Sequence, residues 1–221
     1  TQQEAETVPG IDMGSRTVNG VQDIIANRLE IAQAALALNA SNYAASNKVT
    51  LSGTSQWSDY ANSDPLVAIM GYLDSMVMRP NYAVMGRLVA TKLRMHPKVC
   101  KAVFGNNTDA GTVPLRALAD QLELDDIYVG DAWIDTAAPG QAANLQRCWG
   151  KHASFFFRDR SASNQGGVTF GFTAQWGGWV AGEIPEQRTG LRGAVRVRSG
   201  ESVKEIICAK DVGFLFQNAV A

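Results

Sequence analysis

Residues 21–40, VQDIIANRLEIAQAALALNA, carry the strongest periodic signal in this sequence. Apolar side chains recur there at steps of three and four residues, which places them on one face of an α-helix. They are Val21, Ile24, Ile25, Leu29, Ala32 and Leu36. A helix over this range would be about 30 Å long. Asn19 is its predicted N-cap, and Asp23 in the first turn complements the helix dipole.

The segments on either side of this helix are less regular. Residues 1–20 are polar and contain Pro9, Gly10 and Gly14, so they predict an extended arm. Residues 42–65 are rich in Ser, Asn, Thr and Gly and predict one or two strands with structured loops.

Short helices and one strand are predicted for the middle of the chain. Pro65 opens a second helix, because a proline at the first helical position loses no hydrogen bond. The predicted elements are helices over 66–78, over 87–104 with a break at His96-Pro97, and over 114–124, and a strand over 81–85.

From residue 126 onward the pattern changes to strands. Stretches of β-branched and aromatic residues bounded by Gly, Asp and Asn predict three of them. These stretches cover residues 127–134, 153–157 and 168–172. Alternating valine and arginine from Val195, followed by Ser199-Gly200, predicts a hairpin whose second strand covers 203–209. The order of elements indicates an α+β fold rather than a doubly wound sheet.

Composition excludes several classes of protein. The 221 residues are 46% hydrophobic and 19% charged, which excludes a disordered chain and fits one large domain or two small ones. A formal net charge of -1 argues against a dedicated nucleic-acid binder. The apolar runs are too short to cross a bilayer. Cys100, Cys148 and Cys208 are too few for a disulfide framework, so we expect reduced, buried thiols in a cytosol-made protein.

The search for catalytic, cofactor-binding or metal-binding residues gives no candidate. His96 and Cys100 lie four residues apart, as a thiolate–imidazole dyad or two metal ligands would. Nothing local supplies a third ligand and Pro97 lies between them, so a buried thiol beside a surface histidine is the favoured interpretation. His152 is interpreted as a polar residue at the start of a strand.

The middle of the chain divides into a basic segment followed by an acidic one. Residues 79–101 contain six basic side chains and no acid, whereas residues 109–135 contain seven acids and a single base, Arg116. Paired carboxylates can hold magnesium or do acid–base work, but a solvated surface is the favoured interpretation. Three alternatives remain for the charge blocks. Either the basic block of one copy meets the acidic block of the next, or both are ordinary surfaces, or the basic helix contacts nucleic-acid phosphates without reading sequence.

Several segments resemble the major capsid proteins of tailed bacteriophages. They are ANRLEIAQAAL at 26–36, VTLSGTSQWSDYANSDP at 49–65, NYAVMGRLVATKLRMHP at 81–97 and CAKDVGFLFQNAVA at 208–221. The matches follow the family's order and span nearly the whole chain. The segment Trp57-Ser58-Asp59 and the strand-to-His-Pro unit are the most specific of them.

The resemblance implies a subunit of the HK-ninety-seven type, with a peripheral domain (a long spine helix plus a β-ribbon) and an axial α/β domain. The implied domains are an arm over 1–20, a peripheral part with the spine helix over 21–63, an axial domain over 64–182, and returning peripheral strands with a C-terminal segment over 183–221. The extended loop that precedes the spine helix in this family should lie upstream of Thr1.

The function implied by the resemblance is that of a non-enzymatic major capsid protein without cofactors. Pentamers and hexamers of such a protein form the icosahedral head around double-stranded DNA. Its implied partners are identical subunits, decoration, scaffold and portal proteins, and packaged DNA bound non-specifically at the inner surface, with no membrane. We expect it in the virion, after synthesis in the host bacterial cytoplasm. An encapsulin-like cellular shell and a small hydrolase are the alternatives.

Overall fold

A computed structural model of the chain describes residues 13–105, 108, 110–163, 165–191 and 193–221. These residues mix helices and strands, which confirms the predicted α+β class. Two compact units are present. Of the described residues, the ribbon unit contains those within 13–30 and 173–205, and the sheet unit contains those within 31–172 and 206–221. The division into peripheral and axial domains remains a prediction.

The first helix, α1, spans Met13–Ala37 and begins eight residues before the predicted start. The predicted arm is therefore wrong for residues 13–20, and its residues 1–12 lie outside the described part. Asn19 lies inside the helix and is not its N-cap. Val18 continues the apolar face one turn earlier, three residues before Val21, but two glycines in this polar stretch hid the signal.

Side chains that follow α1 close its C-terminal end, three residues before the predicted end. The side-chain amide of Asn42 donates to the carbonyl oxygen of Leu36 at 2.9 Å. The hydroxyl of Tyr43 donates to the carbonyl oxygen of Ala37 at 2.6 Å. These bonds satisfy carbonyl groups that have no partner within the helix.

A five-stranded mixed sheet forms the centre of the sheet unit. Its strands are β1 (Lys48–Thr50), β2 (Tyr82–Gly86), β3 (Asp126–Gly130), β6 (Ala153–Phe156) and β9 (Gly213–Gln217). Their order is β1-β9-β6-β2-β3, with the outer pairs parallel and the two inner pairs antiparallel. The predicted strands over 81–85 and 153–157 are confirmed to within a few residues, whereas the predicted strand over 127–134 is divided into β3 and a short strand of another sheet. A separate pair joins β4 (Trp133–Asp135) to β5 (Leu145–Arg147).

The helices of the sheet unit agree with the sequence prediction. They are α2 (Pro65–Asp74), α3 (Arg87–Arg94), α4 (Pro97–Phe104) and α5 (Leu115–Gln121). Pro65 is in the first turn of α2, as predicted, and the side chain of Asp64 accepts a hydrogen bond from the Val67 N–H. The predicted break at His96-Pro97 separates α3 from α4.

One face of the sheet carries the main core. Phe214 and Phe216 of β9 point to this face and are fully buried. The ring of Phe216 lies 5.3 Å from that of Trp57 and 5.5 Å from that of Phe155, and Phe214 lies 4.9 Å from Tyr72 of α2. Such clustered aromatic rings supply much of the apolar burial that stabilises a domain.

The opposite face has a smaller core around Leu215, Tyr43 and Phe170. The rings of Tyr43 and Phe170 stack at 5.1 Å. The Tyr43 hydroxyl also hydrogen-bonds to Ser154 of β6, and burial raises the pKa of this phenol. Because both faces are covered, the interior strand β2 is buried along its whole length, as is typical of strands in a sandwiched sheet.

Glycines end β2 and β3 at the same level, since Gly86 pairs with Gly130. A Cβ atom on Gly130 would overlap the indole ring of Trp149, and one on Gly86 would overlap the carbonyl oxygen of Gly150. The turn at 149–150 can approach the strand ends only because both positions lack a side chain.

The ribbon unit contains most of a two-stranded hairpin, whose strands are β7 (Gly171–Glu186) and β8 (Ala194–Ile207). The predicted hairpin with a turn at Ser199-Gly200 is therefore wrong, because residues 194–207 form one continuous strand. The hairpin turns instead between β7 and β8, where Gly190 and Gly193 adopt positive φ angles of 69° and 76°. The predicted strand over 168–172 covers only the beginning of β7.

Candidate assembly surfaces

His96 and Cys100 are both buried in the sheet unit. His96 Nδ1 accepts a hydrogen bond from the Lys98 N–H at 3.2 Å, which makes His96 the N-cap of α4. Its Nε2 lies 3.0 Å from the hydroxyl of Ser63. The buried thiol is confirmed, but the predicted surface histidine is wrong. Ser63, the partner that makes burial of the ring tolerable, lies 33 positions away in the sequence.

These contacts assign His96 a structural role. With Nδ1 accepting, Nε2 carries the proton and donates it to Ser63, so the buried ring is neutral. Burial, followed by the nearby charge of Lys98, lowers the pKa of His96. The Cys100 thiol lies 3.7 Å from the carbonyl oxygen of Arg94 and 3.6 Å from that of Gly111.

His152 directly precedes β6, as predicted. Its Nδ1 accepts a hydrogen bond from the Asn218 N–H at 3.1 Å, and burial lowers its pKa. The cysteine prediction is correct for Cys100, whereas Cys208 is exposed.

The acidic residues of the middle segment lie on the surface, which confirms the favoured interpretation. The exposed carboxylates are Asp120, Glu123, Asp125, Asp126, Asp131 and Asp135. Asp109 lies outside the described residues. Within the described part of the chain, no group of three or more His, Cys, Asp or Glu side chains is arranged to hold a metal ion.

The two charge blocks meet within one chain. Arg87 binds Asp131 through Nε and a terminal nitrogen, and this interaction lowers the pKa of Asp131. Arg79 bridges Asp74 and Glu123. Part of the charge predicted to steer neighbouring copies is therefore already paired internally.

Other basic residues of the block are also engaged. Arg94 donates through Nε to the carbonyl oxygen of Val113 at 2.6 Å, and Lys98 lies 3.3 Å from Asp64. Pairing between copies through this block remains a prediction.

The ribbon carries a surface that the sequence reasoning missed. Gln175 bonds to Glu201 and Trp179 donates to Ser199, so these four side chains share one face. The opposite face, which we call the ribbon face, follows from strand alternation. It includes Trp176, Val180, Ile184 and Glu186 of β7 and Arg196, Arg198 and Lys204 of β8.

The ribbon face is apolar along one strand and basic along the other. Trp176 is 84% exposed, Val180 63% and Ile184 40%. Trp176, Val180 and Arg198 border one shallow depression, which Ser199 and Glu201 also line from β8. The spacing of four residues between the apolar side chains, with basic side chains at 196, 198 and 204, is the sequence signal that could have revealed this face.

No helix in the described residues combines the length and apolar character needed to span a bilayer.

Comparison with known proteins finds similarity to phage capsid proteins. Residues 41–137 match the family Phage major capsid protein E. The chain is 55% identical over 186 residues to a protein named major capsid protein from Pseudomonas phage JBD67. This alignment covers 84% of the chain and 60% of that relative, so the chain spans about three fifths of the relative's length. The chain is thus similar to phage major capsid proteins over these residues, as the sequence resemblance predicted.

A solved structure is similar over almost the whole chain. It is the crystal structure of a phage-related protein from Bordetella bronchiseptica RB50, with a TM-score of 0.78 and 28% sequence identity. The similarity covers 97% of this chain and 70% of that one.

Proposed function

We propose that this chain is the shell-forming part of a phage major capsid protein. Copies assemble into pentamers and hexamers, and these close into an icosahedral head around double-stranded DNA. The observation that carries the proposal is the 55% identity to the Pseudomonas phage protein over 186 residues. The role is structural, and no bond is made or broken in a substrate.

The exposed surfaces support assembly from many weak contacts. Apolar side chains remain exposed on α1, at Ile24, and on the ribbon face, where an isolated two-stranded hairpin is at best marginally stable in water. In a closed shell each subunit makes several heterologous contacts around a ring. Each contact can be individually weak because valency multiplies them, which lets misplaced subunits dissociate.

We also propose the peripheral and axial layout of the HK-ninety-seven type. In this assignment the ribbon unit, with the N-terminal part of α1, is peripheral and the sheet unit is axial. The compact units support boundaries at 30/31, 172/173 and 205/206 in place of 63/64 and 182/183.

Further partners belong to the same proposal. They are decoration, scaffold and portal proteins, with packaged DNA contacting the inner surface through its phosphates and without sequence preference. The protein then resides in the virion after synthesis in the host cytoplasm.

Sedimentation and electron microscopy of the purified protein test the proposal. We expect capsomers or closed shells of uniform size. A protein that stays monomeric across concentration, salt and pH would contradict it. Nucleic acid and protein analysis of recovered particles separates a DNA-filled head from a cellular shell with enzyme cargo.

A further inference from the structure

The ribbon face has both apolar area and unpaired positive charge to offer a partner. Arg196 pairs with Glu186 at 3.0 Å. Arg198 and Lys204 make no ion pair within the described part of the chain, and Arg198 borders the same depression as the exposed ring of Trp176. Trp and Arg are among the residues that contribute most of the binding energy at protein interfaces, and the ribbon face exposes an indole beside an unpaired guanidinium.

The complementary combination occurs on β3, at the edge of the five-stranded sheet. Asp126 and Tyr128 are two residues apart on this strand, so their side chains share a face, and both are exposed. Asp126 forms a hydrogen bond to the N–H of its neighbour Ile127 but no ion pair within the described residues. A cation on a nearby segment, Arg158, is engaged over the ring of Tyr82 at 5.6 Å.

We infer that the ribbon face of one copy docks on the exposed face of β3 of a second copy, with Arg198 against Asp126 and Trp176 against Tyr128. This inference rests on the proposed function, because it names the partner of one surface in the assembled shell. Charge complementarity favours a second copy. The ribbon face presents a cation and an aromatic ring side by side, and β3 presents an anion and an aromatic ring about 7 Å apart.

This pairing also revises the charge hypothesis drawn from the sequence. Arg79 and Arg87 of the basic block are bound by acids of their own chain, whereas the carboxylates of Asp125 and Asp126 form no ion pair within the described residues. The basic partner of the acidic segment is then supplied by the ribbon rather than by residues 79–101.

Charge reversal tests the inference. Arg198→Glu and Asp126→Lys should each raise the protein concentration needed for assembly about tenfold, because each places like charges in contact. The double variant R198E/D126K should restore assembly toward the wild-type concentration. Arg188→Glu, an exposed reversal between β7 and β8, is the matched control and should assemble normally. Circular dichroism and thermal unfolding of each unassembled variant verify that the fold is unchanged.

Disulfide trapping provides a second, independent measurement. In a Cys208→Ser background, Trp176→Cys and Tyr128→Cys together should form disulfides between subunits when glutathione disulfide oxidises the two thiols. The control pair Trp176→Cys and Val67→Cys should not crosslink, since Val67 is exposed on α2. Crosslinked oligomers on a non-reducing gel are the expected result.

The outcomes separate this inference from the proposed function. Failure of the wild-type protein to assemble would refute the proposed function itself. Wild-type assembly together with normal assembly of Arg198→Glu and no trapping would refute only the docking of ribbon and β3. Normal assembly of Arg198→Glu with reduced DNA retention would also overturn it, and would assign the ribbon face to nucleic acid.

Discussion

The phenylalanines of β9 and the tryptophan of β7 lie in opposite environments. Phe214 and Phe216 are fully enclosed by helices and neighbouring strands, whereas Trp176 is 84% exposed in a ribbon of two strands. The sheet unit therefore supplies its own core, and the ribbon leaves large apolar side chains in water. The difference separates a unit with an enclosed core from an element that, in the single chain, leaves its large apolar side chains exposed.

Removal of a core ring should have the largest effect. Phe216→Ala deletes contacts to Trp57, Phe155 and Phe214 and should destabilise the sheet unit by about 3–5 kcal/mol. Trp176→Ala should change the stability of the unassembled subunit by no more than about 0.5 kcal/mol. Urea unfolding of both variants measures the comparison. Equal losses would contradict the division into an enclosed and an exposed region.

Adding one methyl group beside a strand should reduce stability less than removing a core ring, but by a measurable amount. Gly130→Ala forces the new methyl group against Trp149 and should cost about 1–3 kcal/mol, because a packed core resists extra volume. Gly182→Ala, in β7, has nothing within 4 Å of the new methyl group and should be nearly neutral. Thermal unfolding of the two variants measures the difference in stability cost between the packed and the open position. A neutral Gly130→Ala would show that Trp149 does not restrict this position.

Lowering the pH should reduce the free energy of unfolding of the sheet unit, because His96 and His152 both lie in it. Each has a folded-state pKa below the ordinary value of 6.5, so the unfolded chain binds protons first. The stability they contribute is complete above pH 6.5 and is lost as the pH falls through the folded-state pKa. Protonation of His96 would also remove the N-cap of α4. Unfolding experiments between pH 7.5 and 5 measure this loss.

A substitution that keeps the cap isolates the contribution of His96. Asn is a good N-cap and does not titrate, so His96→Asn should reduce the pH dependence in this window and leave that of His152. An unchanged pH profile would show that His96 is not responsible.

Removal of exposed ion pairs should have the smallest effect on stability. Arg87→Ala removes the pair with Asp131, and Arg196→Ala removes the pair with Glu186 in the ribbon. Each should cost less than about 1 kcal/mol and should be screened by added salt. Unfolding at low and high salt measures both. A large, salt-independent loss for either would mean that packing rather than charge was removed.

The sequence predicted the elements whose signals are local. Pro65, the His96-Pro97 break and the aliphatic runs of β2 and β6 each mark a helix or strand within a few residues. The start of α1 was missed because Gly14 and Gly20 suggested a loop, whereas Val18 continues its apolar face. Gly and Ser in β8 suggested a turn, and only pairing with β7 keeps them extended.

The surface chemistry was less predictable because it depends on pairing in space. Arg87 and Asp131 are 44 positions apart, and their contact follows from the register of β2 and β3. The burial of His96 depends on Ser63 in the same way. The ribbon face could not be recognised until the partner of β8 was known, since the apolar and basic rows lie on different strands.

The placement of β9 has a consequence for the timing of synthesis. This strand lies between β1 and β6, although it follows both by more than fifty positions in the chain. The sheet cannot be completed until residues 213–217 have left the ribosome. Until then, the earlier helices lack their packing contacts with Phe214 and Phe216. Folding with such non-local pairing is slow. If subunits assemble as proposed, a nascent chain becomes competent to join others only when translation of this segment is finished, which disfavours premature association of incomplete chains.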